Sequence, residues 1–348
     1  MLGGRWLVSG DDWTAPGVYE VAPDVFRVPL PLPTDGLRAV NIYVIVDVGR
    51  LVCIDSGWAV PDARAVLDAA LASLGSSVAD IDRFLVTHAH RDHYTMAVSL
   101  RRSEGIAVSL GAGERPSLEA IADPARSPFE DRLGALLRYG APHLADLAAT
   151  EVVSGHDAQR SEWEPPDSWL DEGDIVFGSG RRLGVVETPG HTRGHVVFRD
   201  PANRLLFAGD HVLPTITPSI GFEPVASDDP LGDFLGSLAR VRRLPDAVLL
   251  PAHGPVVPSV HARIDQLVDH HGRRLDKTLA ALVAGATSVF EVAGRLRWTR
   301  RERTLAELDL FNQMLAVTET AAHLRLLVAQ GRVAQILDDG IYRYRSLP

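Results

Sequence analysis

One cysteine, Cys53, occurs in 348 residues, inside the apolar run RLVCIDSG. A disulfide framework and a cysteine-rich zinc module are both excluded, and the thiol reads as a small buried hydrophobe. No run approaches the roughly 18 apolar residues that a membrane helix needs. The opening MLGGRWLVSGDDWTAPG lacks the basic start and apolar centre of a secretory leader. A cytoplasmic location with no membrane partner is therefore expected. Excess positive charge is missing too: the formal net charge is -10, which disfavours wrapping of polyanions by the whole protein. Internal repeats and low-complexity segments are absent. What is present is an ordinary globular composition, 46% hydrophobic and 23% charged, long enough for one large domain and one small one.

Up to about residue 260 the chain alternates short β-rich runs with turns and helical patterns. VFRVPL, NIYVIVDVG and RLVCID read as successive strands with Gly49 at a turn, and PDARAVLDAALASL as an amphipathic helix with Pro61 in its first turn. DRFLVTHAH is a strand that opens into a loop, a common location for reactive side chains. EDRLGALLRYG and PHLADLAAT have helical spacing, whereas SEWEPPDSWL is turn-rich and reads as loop. DIVFG, RLGVVETPG, HVVFRD, RLLFAGD and DAVLLPAHG return to strand character, and three of them lead into a histidine or aspartate beside glycine or proline. The texture then changes. HARIDQLVDHHGRRLDKTLAALVAG, SVFEVAGRLRW and RTLAELDLFNQMLAVTETAAHLRLLVAQG are helical, and RVAQILDDGIYRYRS reads as a hairpin with an Asp-Gly turn. Residues 1–259 and 260–348 are thus expected as two domains, the second mainly helical with a winged-helix outline.

THAHRDHYTM concentrates His88, His90, Asp92 and His93 in six consecutive positions of a chain with 13 histidines. His191 in TPGHTRGH, Asp210 in FAGDH and His253 in PAHGP follow, each in a tight glycine or proline context. Neutral imidazole and carboxylate suit Zn²⁺, and seven such groups exceed the three or four protein ligands of one catalytic zinc. The count points to two metals. Two ions about 3.5–4 Å apart commonly share a carboxylate and a water, which they acidify into a hydroxide nucleophile. No serine or cysteine nucleophile is then needed.

With H-x-H-x-D-H at His88-Ala89-His90-Arg91-Asp92-His93, and the later single positions matching in type and order, the chain resembles the metallo-β-lactamase superfamily over roughly residues 20–260. The resemblance implies an α+β fold, an αββα sandwich with metals at one edge of its sheets. It also implies His88, His90 and His191 on one metal, Asp92, His93 and His253 on the other, and Asp210 between them. Asp92 and Asp210 would be the catalytic carboxylates. Asp55 in CIDSG matches an aspartate that supports the metal loop through hydrogen bonds, and His195 and His211 read as loop hydrogen-bonding groups rather than ligands. Tyr94, where the family commonly has a small residue, is either core packing at a helix start or a pocket wall with its hydroxyl near the substrate. The remaining histidines, His143, His156, His261, His270, His271 and His323, read as surface or helix-contact residues without a function.

An aspartate at 210 resembles the glyoxalase II, lactonase and phosphodiesterase branches, and ranks β-lactam hydrolysis low. The leading expectation is a binuclear zinc hydrolase, with Mn²⁺ or Fe as other occupants, that cleaves a thioester or a lactone/ester of a small acyl metabolite. A nuclease is the alternative, since Arg295, Arg297, Arg300, Arg301 and Arg303 cluster; yet residues 260–348 hold 13 Arg/Lys against 10 Asp/Glu, too small an excess for a nucleic-acid face. A mononuclear iron sulfur dioxygenase would need only half of these ligands. The C-terminal part then reads as a lid or homodimer contact.

Overall fold

Period-two alternation along β3 (Ala39–Asp47) explains the layering of the protein. Val40, Ile42 and Val44 face one apolar cluster, while Tyr43 and Ile45 face another. Both faces of this strand are buried, so a second sheet must cover one of them. The computed structural model describes residues 12–33, 36–151 and 162–348. The opening segment 1–11, Ser161 and His156 lie outside the described residues.

The first sheet runs in the order β1 (Tyr19–Ala22), β2 (Val25–Pro31), β3, β4 (Arg50–Ile54), β5 (Ile81–Val86), β6 (Ala107–Gly111), β7 (Ser168–Leu170). Strands β1 to β4 form an antiparallel meander, and β5, β6 and β7 add in parallel. The crossovers α1 (Pro61–Ser73) and α2 (Arg91–Glu104) contribute Leu67, Leu71, Val98 and Leu100 to the cluster on its outer face, and α3 (Arg115–Ala122) adds Leu118. The β3–β4 turn uses Val48 and Gly49, both at positive φ, as a two-residue hairpin requires.

The second sheet is ordered β12 (Val248–Pro251), β11 (Leu205–Gly209), β10 (Val196–Asp200), β9 (Arg182–Glu187), β8 (Gly173–Val176). Phe198, Phe207 and Leu250 from this sheet meet Tyr43, Ile45 and Ile54 between the two sheets, with Tyr43 edge-on to Phe207 at 5.3 Å. Truncating a fully buried phenylalanine such as Phe207 to alanine costs about 3–5 kcal/mol. The opposite face, with Val197, Leu206 and Leu249, packs on α6 (Pro230–Arg242). Helix, sheet, sheet, helix is the expected αββα sandwich.

The C-terminal helices α7 (Val260–Val283), α8 (Val289–Arg295) and α9 (Leu310–Ala329) precede the hairpin of β13 (Val333–Asp338) and β14 (Ile341–Ser346). Its turn is the expected Asp339-Gly340, both at positive φ. This part shares one apolar cluster with the second sheet, and with α4 (Pro128–Arg138) and α5 (Pro142–Glu151). Tyr139 joins them: its carbonyl accepts from Phe290 N and its hydroxyl from Arg325 Nη2.

Two local expectations are corrected. SEWEPPDSWL is not loop throughout, because Ser168–Leu170 forms β7. Asp167 starts that pairing by accepting from Val108 N at 2.8 Å, and three residues are too few to show a period. The third helical pattern does not begin at Arg303. Asp309 caps α9 by accepting from Asn312 N at 2.9 Å, so the helix starts at Leu310.

Candidate metal centre

Asp55 and His88 follow the parallel neighbours β4 and β5, and Asp210 and His253 follow the parallel neighbours β11 and β12. His191 lies in the turn between β9 and β10. Parallel strands deliver their carboxyl ends to one edge, so residues far apart in sequence converge there. The sheets are bonded to each other at this edge. Val196 N donates to the Thr87 carbonyl at 2.8 Å, and the Asn41 side chain donates to the carbonyls of Pro251 and Gly254 at 3.0 and 2.9 Å. Gly209, at φ +49, is needed for this closeness. A Cβ there would lie 2.6 Å from Thr87 Oγ1 and 2.8 Å from His195 Nε2.

Two groups of donors result. In the first, His90 Nδ1 is 3.0 Å from both His88 Nε2 and His191 Nε2. In the second, Asp92 Oδ2 is 3.2 Å from His253 Nε2 and 3.6 Å from His93 Nε2. Asp210 lies between them: Oδ2 is 3.4 Å from His191 Nε2, while Oδ1 is 3.4 Å from His253 Nε2 and 3.8 Å from His93 Nε2.

The outer nitrogens fix which lone pairs point inward. His191 Nδ1 donates to the Ser219 carbonyl at 2.7 Å and His253 Nδ1 to the Ala39 carbonyl at 2.8 Å, so each Nε2 is left unprotonated in the neutral ring. Thr87 directs its hydroxyl proton to Asp55 at 3.0 Å and therefore accepts from His88 Nδ1 at 3.1 Å. Asp55 also accepts from Thr87 N at 2.7 Å and holds His93 Nδ1 at 2.9 Å. It does so from a left-handed backbone, φ 59, that aspartate tolerates better than most residues.

Burial keeps His88 far below the usual imidazole value, His90 at about 3 and His191 at about 4, so the first group presents neutral nitrogens. Burial also opposes charge on His93, but Asp92, Asp55 and Asp210 outweigh it and raise that ring to about 10. Asp92, despite burial, is held below the carboxylate range by His93 and His253. The second group thus demands positive charge.

A divalent cation fits both groups. His93 Nε2, His253 Nε2 and Asp210 Oδ1 are buried without a hydrogen-bond partner among the described residues, an arrangement that costs about 1–3 kcal/mol per atom unless something else satisfies it. The donor separations of 3.0–3.8 Å bracket the roughly 3.3 Å edge of a tetrahedron with metal bonds of about 2.0–2.1 Å.

His195 takes the position of a supporting group. Its Nε2 accepts from Asp210 N at 3.1 Å, and its Nδ1 is 2.8 Å from Thr188 Oγ1. His211 is buried between the rings of His195 and Phe234. Tyr94 is not a pocket wall: it is fully buried in the outer cluster of the first sheet, and its hydroxyl donates to the Glu164 carbonyl at 2.5 Å. Within the arginine cluster, Arg295 and Arg300 are engaged by carbonyls, those of Ala281 and Ala284 for the former and Thr215 for the latter.

Several contributors were not expected from the sequence. Thr87, directly before His88, could have been suspected as a hydroxyl beside a ligand. Asn41 and the carbonyls of Ala39 and Ser219 carry no signal of their own. Glu114 accepts from Thr192 Oγ1, and Glu223 Oε2 accepts from Arg193 N at 3.0 Å, so two carboxyls hold the His191 loop from behind. Burial raises them to about 7 and about 8.

Histidines and aspartates gathered at the edge of two packed sheets define a class, αββα-sandwich proteins with a candidate metal centre. The comparisons narrow the class. The family model for the metallo-beta-lactamase superfamily matches residues 35–253, and one for the metallo-beta-lactamase-like C-terminal domain matches residues 275–347. The chain belongs to the metallo-beta-lactamase superfamily. It is similar to a Bacillus subtilis (strain 168) protein described as a probable metallo-hydrolase, 26% identical over 93% of this chain and 98% of the relative. A metallo-beta-lactamase family protein from Thermus thermophilus aligns with a TM-score of 0.77 and 27% identity, covering 94% of this chain and 100% of that one. An atrochrysone carboxyl ACP thioesterase from Aspergillus fumigatus is 25% identical over 41% of this chain and 42% of its own length.

Proposed function

We propose that the protein is a binuclear metal-dependent hydrolase of activated acyl bonds, a thioester or a lactone/ester of a small metabolite. The observation that supports this reading is the placement of Asp210, whose two oxygens each face a different donor group at 3.4 Å. His88, His90 and His191 would hold one ion, Asp92, His93 and His253 the other, with Asp210 shared. Bound divalent ions supply Lewis acidity, which lowers the pKa of water and polarises an acyl carbonyl. Zn²⁺ suits the nitrogen and oxygen donors, as do Mn²⁺ and Fe²⁺.

The chain's own residues do the rest. Thr87, Asp55 and the Ser219 and Ala39 carbonyls hold the imidazoles in one tautomer and orientation, which such ligands require. Asp92 and Asp210 are the carboxylates placed to take the proton released when water attacks, and to return it to the departing thiolate or alkoxide. Cys53 does not compete as a nucleophile, because it is buried with its thiol pushed up to about 12. Thioester cleavage draws further support from the similarity to the Aspergillus thioesterase.

The test is hydrolysis by zinc-loaded protein of an acyl thioester, a homoserine lactone, an aryl ester, a cephalosporin and a short RNA, beside metal-free protein. Turnover of the thioester, lactone or ester that vanishes without metal is the expected result. Cleavage of RNA alone, or acyl hydrolysis that survives metal removal, would overturn the proposal.

A further inference from the structure

A second group of metal-competent side chains lies away from the sheet edge, between α7 and α9. His270 and His271 are neighbours on α7 and Glu319 is on α9, and one donor atom from each lies within 4.8 Å of the others. Reading along the sequence suggested only surface or helix contacts for these histidines.

The hydrogen bonds fix the state of His271. His323 Nδ1 donates to the Glu319 carbonyl at 2.8 Å, and a carbonyl only accepts, so His323 Nε2 carries the lone pair. That nitrogen is 3.2 Å from His271 Nδ1, which must therefore be the protonated one. His271 Nε2 is left as an acceptor, in a ring that is 0% exposed, with no hydrogen-bond partner among the described residues. A histidine that donates through one nitrogen to a fixed acceptor and leaves the other bare is in the state a metal ligand needs. The cation that competes for Glu319 is Arg274, but its Nη1 donates to the Arg297 carbonyl at 2.7 Å and its guanidinium lies 3.8 Å over the Trp298 ring.

We propose that His270, His271 and Glu319 form a separate site for a divalent transition metal of the zinc class, pinning α7 to α9. Two imidazoles and one carboxylate are a common zinc donor set, and donor separations of about 3.3 Å would be reached by side-chain rotation. The site has a structural role. His271 packs edge-on against Phe234 of α6 at 5.5 Å, and Phe234 packs at 5.3 Å against His211, the residue after Asp210. Fixing α7 to α9 therefore supports the floor beneath the catalytic edge without touching it.

The experiment loads the metal-stripped full chain with Zn²⁺, removes loose metal and counts bound zinc by mass spectrometry, with circular dichroism confirming the fold. The parent is compared with His270→Ala/Glu319→Gln and with Glu319→Gln alone, which is isosteric and keeps the fold if the double variant does not. The double variant should bind one equivalent less than the parent. Glu319→Gln should weaken that equivalent at least tenfold in chelator competition. Equal zinc counts with unchanged affinity would overturn the proposal and leave Glu319 as a counter-ion of Arg274. The count needs no substrate, so it is independent of the acyl-hydrolase reading.

Discussion

Two clusters of buried histidines in this protein are built to different standards. At the sheet edge, His88, His93, His191 and His253 are each held from behind by Thr87, Asp55 or a carbonyl, and those holders are anchored in two bonded sheets. Between α7 and α9, His323 holds His271, but among the described residues no comparable strut from a sheet backs either ring. Strands give fixed carboxyl ends from which several loops can aim at one point, whereas two helices offer side chains that reach across a gap. The first arrangement preorganises chemistry, and the second suits a clamp.

The largest expected effect comes from removing the group shared by both halves of the edge cluster. Asp210→Ala should lower acyl hydrolysis more than about 100-fold, beyond the 10- to 100-fold range of supporting partners, and reduce retained metal. Unchanged turnover would break the distinction between shared and supporting carboxylates. Asp55→Ala should fall inside that range, about 10- to 100-fold in metal affinity or activity, because it misorients His93 and frees Thr87 without removing a donor. Metal titration of both variants sharpens the comparison. His195→Ala removes only an acceptor for Asp210 N and should keep its metal.

How much of this was legible follows from what a side-chain pattern can carry. The strand, turn and helix patterns placed most elements, whereas the sandwich was implied by the resemblance that the histidine motif carries; the apolar run of β3 agrees with it, because its two faces enter two different cores. The donor candidates stood out because their spacing is local, His88 to His93, or because glycine and proline mark their turns. Holders that act through the backbone, Ala39 and Ser219, leave no trace in residue identity. Tyr94 was ambiguous because a helix start beside a metal loop faces both core and site, and only its bond to Glu164 decides it. The His271 state depends on a chain of donors between two helices, with His271 and His323 52 residues apart, which no local pattern encodes.

A smaller effect on chemistry is expected at the helical cluster. His323→Ala leaves the His271 Nδ1 proton unpartnered and should cost about 1–3 kcal/mol of stability. Hydrolysis at saturating metal should stay within about twofold of the parent, since no edge ligand loses its holder. A large loss of turnover with an unchanged Tm would show that the two clusters are coupled more tightly than their struts imply.

The smallest effect is expected at Glu223, which holds only the backbone of the His191 loop. Its carboxyl is raised to about 8 by burial, so the folded state keeps a proton that the unfolded chain releases near pH 4–5. At this group the folded state binds more protons across that window, so its contribution to stability falls as pH rises through it. Glu223→Gln, which mimics the protonated form, should therefore gain Tm relative to the parent as pH rises from 5 to 8, while turnover changes by less than about twofold; the difference between the two cancels the opposite trend of His88, His90 and His191, whose burial adds stability as pH rises towards the usual imidazole value. Glu114, raised to about 7 in the same environment, and His93, raised to about 10, are present in both proteins and leave the difference unchanged. Parallel slopes for parent and variant would mean that Glu223 is ionised in the folded state. Its contact to Arg193 N would then be a charged strut of the kind Asp55 supplies to His93, and the edge cluster would be held by carboxylates on both of its flanks.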